Sequence, residues 1–155
     1  PEPVQSPEPA AKQQKSARPP VVKPRPVAVA QNSTITWRWP IKGEVVNSFS
    51  LNGRINKGID IRGKLGDKVR AAADGVVVYA GGGLRGYGKL VIVKHSDSFL
   101  SAYGHNRKIQ VKEGDRVKGG QVVGEVGPSS SKQEMLHFEI RRNGKPENPL
   151  LYLPR

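Results

Sequence analysis

An all-β domain is predicted from three observations. All eighteen glycines lie beyond Trp37. Between them run short segments rich in β-branched residues, spaced roughly ten residues apart, the signature of a small sandwich or barrel. No segment carries the helical period of an amphipathic helix.

The strand candidates follow in order: "EVVNSFS" (44–50), "GVVVYAG" (75–81), "KLVIVKH" (89–95), "FLSAYGH" (99–105), "QVVGEVG" (121–127) and "MLHFEI" (135–140). Gly, Asp, Asn and Ser cluster between them as turns. A weak internal echo links Gly66-Asp67-Lys68-Val69 with Gly114-Asp115-Arg116-Val117. Each begins a strand, a small-residue bend and a second strand, the paired hairpin unit of barrel-sandwich folds.

Residues 1–36 have a different composition. They hold eight of the thirteen prolines and no glycine. Such a segment buries too little apolar surface to offset the entropy of ordering, so 1–36 is predicted to be a disordered, proline-rich linker and 37–155 the folded domain.

Net charge is +13. The linker holds five basic and two acidic residues, which leaves +10 on the folded part. A basic domain favours anionic partners such as a cell-wall polymer, acidic lipid or an acidic protein patch. Aromatics are few and no helix-turn-helix, ribonucleoprotein or zinc-finger spacing occurs, so nucleic acid is not expected. With no cysteine, thiol catalysis, disulfides and thiolate metal sites are excluded. No apolar run approaches the roughly 20 residues of a membrane span. A chain beginning at Pro1 is expected to be a processed form or fragment, with any membrane contact made through a lipid anchor upstream.

Chemistry rests on three histidines, His95, His105 and His137, and on nearby carboxylates. In "SKQEMLHFEI", Met135, His137 and Glu139 alternate with Leu136, Phe138 and Ile140. His137 thus lies on the polar face of a strand, as a metal ligand, a catalytic base or a filler on a half-buried surface. "INKGIDIRG" supplies Asp60, and "FLSAYGHN" supplies Tyr103 and His105. His95 ends a strand, where histidine often closes a turn.

Taken together, "NKGIDI", "GDKVRAAADGVVVYAG", "VIVKHSDSFLSAYGHN", "VKEGDRVKGGQVVGEVG" and "LHFEIRRNGKPENPLLYL" resemble, in order and spacing, the LytM (lysostaphin-type) zinc endopeptidase domain over about residues 40–153. The resemblance implies a small antiparallel β-sandwich or barrel-sandwich hybrid with a groove. In active members the groove holds one zinc and the enzyme cuts peptide cross-links of the cell wall. Their pattern is His-x-Gly-x-Asp early and His-x-His late, with a tyrosine-small-histidine motif between. Here the early pattern is Asn56-Lys57-Gly58-Ile59-Asp60 and the late one Met135-Leu136-His137. One zinc ligand and one catalytic histidine are thereby replaced. Asn56 offers a neutral amide oxygen, a poor substitute for imidazole. Met135 can neither shuttle a proton nor donate to an oxyanion.

Such double loss resembles the degenerate subgroup of NlpD-type (and EnvC-type) activators of cell-wall amidases. The resemblance implies no catalysis, no metal and no cofactor. It implies a groove lined by Asn56, Asp60, Tyr103, His105, Met135 and His137 and rimmed by Arg54, Lys57 and Arg85. The expected partner is a periplasmic N-acetylmuramoyl-L-alanine amidase, activated for peptidoglycan splitting in cell division by what would be, at full length, an outer-membrane lipoprotein. The alternative is a non-catalytic peptidoglycan-binding module. A biotinyl or lipoyl carrier is disfavoured because "VKEGDRVKGGQVVGEV" carries no modifiable lysine at a hairpin tip.

Overall fold

The computed structural model describes residues 35–129 and 132–154. The linker expectation for 1–36 falls, apart from Ile35 and Thr36, outside the described residues. The compact unit begins at Ile35. Its strands are β1 (Val45–Asn47), β2 (Ile59–Arg62), β3 (Lys68–Arg70), β4 (Gly75–Gly81), β5 (Lys89–Lys94), β6 (Phe99–Ile109), β7 (Arg116–Val117), β8 (Val122–Pro128), β9 (Glu134–Arg142) and β10 (Lys145–Glu147), followed by one 3₁₀ turn, Pro149–Leu151. The expected all-β, antiparallel class holds: every strand pairing is antiparallel.

The main path of the sheet runs β1-β2-β9-β8-β6-β5-β4-β7, with β9 also pairing with β6 and β10, and β3 with β8. Two long strands make the closure. The first half of β6 pairs with β9, Tyr103 opposite Phe138 and Gly104 opposite His137. Its second half pairs with β8, Asn106 opposite Val126. The change of partner falls at His105, whose φ is +65°. A side-chain-bearing residue in this left-handed region costs about 1–2 kcal/mol, tolerated here because it turns the corner that closes the sheet on itself.

Strand alternation then divides the side chains. Inward, Ile59, Phe138, Tyr103 and Val91 form one cross-strand row, joined by register from β2 to β5. All four are fully buried and belong to the main apolar core. The Tyr103 and Phe138 rings lie 5.4 Å apart, a tilted pair worth about 0.5–1.5 kcal/mol beyond its buried area. The two ends of the domain are also tied. Trp37 packs edge-on against His95 and Phe99, and the Trp39 indole N–H donates to the Pro154 carbonyl at 2.7 Å.

Candidate functional site

The outward row one residue along is Asp60 of β2, His137 of β9 and Gly104 of β6. Register alone brings the Asp60 carboxylate to the His137 ring, Oδ1 to Nδ1 at 2.8 Å. The other Asp60 oxygen accepts from the Asn47 amide at 3.0 Å. Nε2 of His137 meets Glu139 Oε2, also at 2.8 Å. Glu139 is two residues farther along β9, on the same face, and is buried. It gathers three donors: His137, the Tyr87 hydroxyl at 2.8 Å and the Arg141 guanidinium at 2.8 Å. Tyr87 comes from the loop between β4 and β5 and packs across Gly104. A Cβ at Gly104 would lie 3.3 Å from the Tyr87 carbonyl oxygen and 3.5 Å from His137 Cβ, so a bare glycine lets this loop settle on the sheet. Gly58 is more constrained. A Cβ there would stand 2.1 Å from the Phe138 carbonyl oxygen.

The electrostatics follow from these contacts. Burial opposes charge on His137, but hydrogen bonds to Asp60 and Glu139 outweigh it and lift the pKa to about 9. Burial raises both carboxyls, yet His137 pulls Asp60 and Glu139 below the ordinary carboxylate range. At neutral pH His137 is therefore an imidazolium donating from both nitrogens, clamped between two carboxylates. His105 is pushed down, by burial first and then by the His137 charge. Its ring stands 6.0 Å from that of His137.

Asn56 sits at the foot of the loop before β2. Its amide nitrogen donates to the Ser48 carbonyl at 3.1 Å, and its amide oxygen accepts from Gly58 N–H at 3.3 Å. These donors do not fit a zinc ion. Asn56 offers a neutral amide oxygen where a third strong ligand would have to join Asp60 and His137. Asp60, His137 and Glu139 converge as a hydrogen-bonded row, and among the described residues no group of three His, Cys, Asp or Glu is arranged to hold a metal ion. Met135 is buried on the same face as His137, between Arg62 and Gly127 in register.

Of the expected groove residues, the structure brings Asp60, His105 and His137 together, with Asn56 and Met135 at the margins. Arg54, Lys57 and Arg85 are exposed on the two loops that also carry Asn56 and Tyr87, and no ion pair among the described residues engages them. Tyr103 is not brought into the groove. It is 0% exposed and faces the core, where its hydroxyl accepts from Ala72 N–H and bonds Ser101. Simple alternation would put Tyr103 and His105 on one face, but the left-handed turn at His105 separates them. His95 is structural. It is buried, with Nδ1 at 2.6 Å from the Asp74 carbonyl and Nε2 at 2.7 Å from Ser101 Oγ.

Asn47, Tyr87, Glu139 and Arg141 were not among the expected site residues. The signal for two of them was present: Glu139 and Arg141 share the two-residue period of His137. Asn47 lies 13 positions before Asp60, and Tyr87 lies in a loop 52 positions before Glu139, and only the folded chain shows that they join the row.

Residues 54–149 match the sequence profile of peptidase family M23. The chain is 57% identical over 119 residues to a lipoprotein NlpD/LppB homolog of Pseudomonas aeruginosa, an overlap covering 77% of this chain and 40% of that protein. It is 52% identical over 120 residues to the murein hydrolase activator NlpD of Escherichia coli, covering 77% of this chain and 32% of that one. The chain thus spans less than half the length of these relatives. Among solved structures, Csd3 of Helicobacter pylori superposes with a TM-score of 0.70 at 33% identity, over 77% of this chain and 33% of that one. With a match that includes β2, β6 and β9 and the whole Asp60–His137–Glu139 row, the chain belongs to peptidase family M23.

Proposed function

We propose that residues 37–155 form a catalytically inactive M23 domain that activates periplasmic N-acetylmuramoyl-L-alanine amidases during cell division, with residues 1–36 as the linker to upstream modules and a lipid anchor. The observation that carries this reading is the clamp on His137. Where a peptidase would coordinate an ion, both ring nitrogens donate to carboxylates, and Asn56 and Met135 stand at positions that need imidazole. Without a Lewis acid or a water of lowered pKa, amide hydrolysis has no nucleophile. The names of relatives at 51–57% identity, activators and lipoproteins and not peptidases, support the same reading.

The residues kept at the groove suit binding. Asn56, Asp60, His105, Met135 and His137 form its base, and Arg54, Lys57 and Arg85 give it a positive rim. A groove that binds an amidase better in its open form shifts that amidase towards activity. Moving a 1:99 equilibrium to 99:1 takes about 5.5 kcal/mol of differential affinity. Charge reversal at the rim (Lys57→Glu or Arg85→Glu) is expected to lower activation about tenfold per site, equivalent to about 1.4 kcal/mol. Dye release from labelled peptidoglycan by a purified amidase, with and without this domain, measures it. Full activation by every rim variant would place the partner surface elsewhere. Elemental analysis after dialysis against zinc is expected to find no stoichiometric metal, and one tightly held zinc per chain would overturn the inactive-site reading. The positive charge of the folded part favours the second reading, a peptidoglycan-binding module. Wall binding without amidase stimulation would support it.

A further inference from the structure

We propose that the folded domain carries its own docking surface for an anionic phospholipid bilayer, formed by the loop Leu51–Ile55 and helped by the loop around Leu84. This contact would be additional to any upstream anchor, and it does not depend on the amidase reading.

The first loop is a closed finger. Ser50 and Asn56 exchange both backbone hydrogen bonds, Ser50 N–H to Asn56 O at 2.9 Å and Asn56 N–H to Ser50 O at 2.7 Å. Ser50 Oγ donates to the Asn52 carbonyl at 2.7 Å, and the Asn56 side chain ties the base to Ser48. Gly53, at φ +65°, lets the tip turn with nothing within 4 Å of its Cβ position. Leu51 and Ile55 are the residues immediately inside the bridge. They are 53% and 54% exposed. Two large aliphatic side chains are thus held out in water by a preformed loop, although a looser loop could have folded them down. Arg54 and Lys57 flank them, and no acidic residue occurs from Ser48 to Gly58.

The second loop repeats the chemistry. Leu84 is 44% exposed, with Arg85 beside it, and no acidic residue occurs from Gly81 to Lys89. This loop is pinned by Gly83 N–H to the Tyr79 hydroxyl and by Tyr87 to Glu139.

The occupant follows from shape and charge. Protein interfaces concentrate their affinity in side chains that fill central, well-packed pockets, and leucine is under-represented among them. Here the apolar groups are aliphatic and stand on loop tips. Aliphatic groups entering the acyl boundary while adjacent cations stay among anionic headgroups is the pattern of interfacial membrane binding. Each basic residue near an anionic surface strengthens partition about fivefold, and the effect fades within a Debye length as salt rises.

The test is co-sedimentation of the 155-residue chain with phosphatidylglycerol–phosphatidylcholine vesicles, against pure phosphatidylcholine. Binding is expected only to the anionic vesicles. The double variant Leu51→Ser/Ile55→Ser should bind about tenfold more weakly, because its lost aliphatic burial leaves charge unassisted. Arg54→Glu/Lys57→Glu should abolish binding. All four side chains are exposed, so circular dichroism should show the fold intact. No binding to anionic vesicles, or binding untouched by Leu51→Ser/Ile55→Ser, would overturn the proposal. So would a double variant that keeps vesicle binding but loses amidase activation, which would make the finger a protein contact. An unmodified chain that activates the amidase but binds no anionic vesicles would overturn the lipid surface and leave the amidase reading standing.

Discussion

Replacing Glu139 by alanine is expected to lower the folding free energy by about 3–5 kcal/mol, the usual loss when one member of a buried charged set is removed. Glu139 is where two cations and a hydroxyl meet. His137, Arg141 and Tyr87 all donate to it, and its side-chain stem packs on Gly58. Alanine leaves His137 and Arg141 without that partner, releases the Tyr87 loop and opens a cavity. Glu139→Gln keeps the shape and one acceptor oxygen, so it should cost about half as much. Urea unfolding, with its midpoint read for both variants, checks this. Equal, small effects for the two would mean that the cluster contributes little to stability.

Stability should peak near pH 6.5 and fall on both sides. His95 governs part of the acid side. Burial holds its pKa down to about 4, against roughly 6.5 in the unfolded chain. The folded state therefore binds fewer protons, and stability is lost as pH falls from about 6.5 towards 4, by about 3 kcal/mol in total. The lowered Asp60 and Glu139 add to that loss at still lower pH. His137 governs the alkaline side. Its pKa of about 9 means that its contribution is whole below about 6.5 and is lost as pH rises through 9, again by about 3 kcal/mol. His95→Gln should flatten the loss between pH 6.5 and 4 and leave the alkaline limb, while His137→Gln should flatten the alkaline limb, leave the His95 loss, and weaken the loss at still lower pH that Asp60 and Glu139 carry. A flat profile from pH 5 to 9 would contradict both assignments.

Much of the fold was legible. The six quoted runs fall on β1, β4, β5, β6, β8 and β9, because short apolar or alternating runs bounded by Gly, Asp, Asn and Ser turns signal a strand whether one face or both is buried. β3, β7 and β10 have two or three residues each, too few for a period, and exist only through their pairing with longer neighbours. The site was partly legible for the same reason. Asp60 and His137 are separated by 77 positions but sit in motifs of recognisable spacing. Tyr103 was misleading because its motif places it beside His105, and alternation cannot foresee a left-handed residue at a strand corner.

By itself the sequence determined the all-β class, the break in composition before Trp37, the absence of thiol chemistry and the residue types at positions 56, 60, 135 and 137. These are properties of residue type and spacing, which survive any arrangement of the strands. Only the tertiary structure decided what became of the remaining polar groups. Antiparallel register set Asp60 beside His137, the two-residue period added Glu139, and a glycine at 104 admitted Tyr87. Buried polar groups must find partners or pay the cost of desolvation, so these side chains bonded one another.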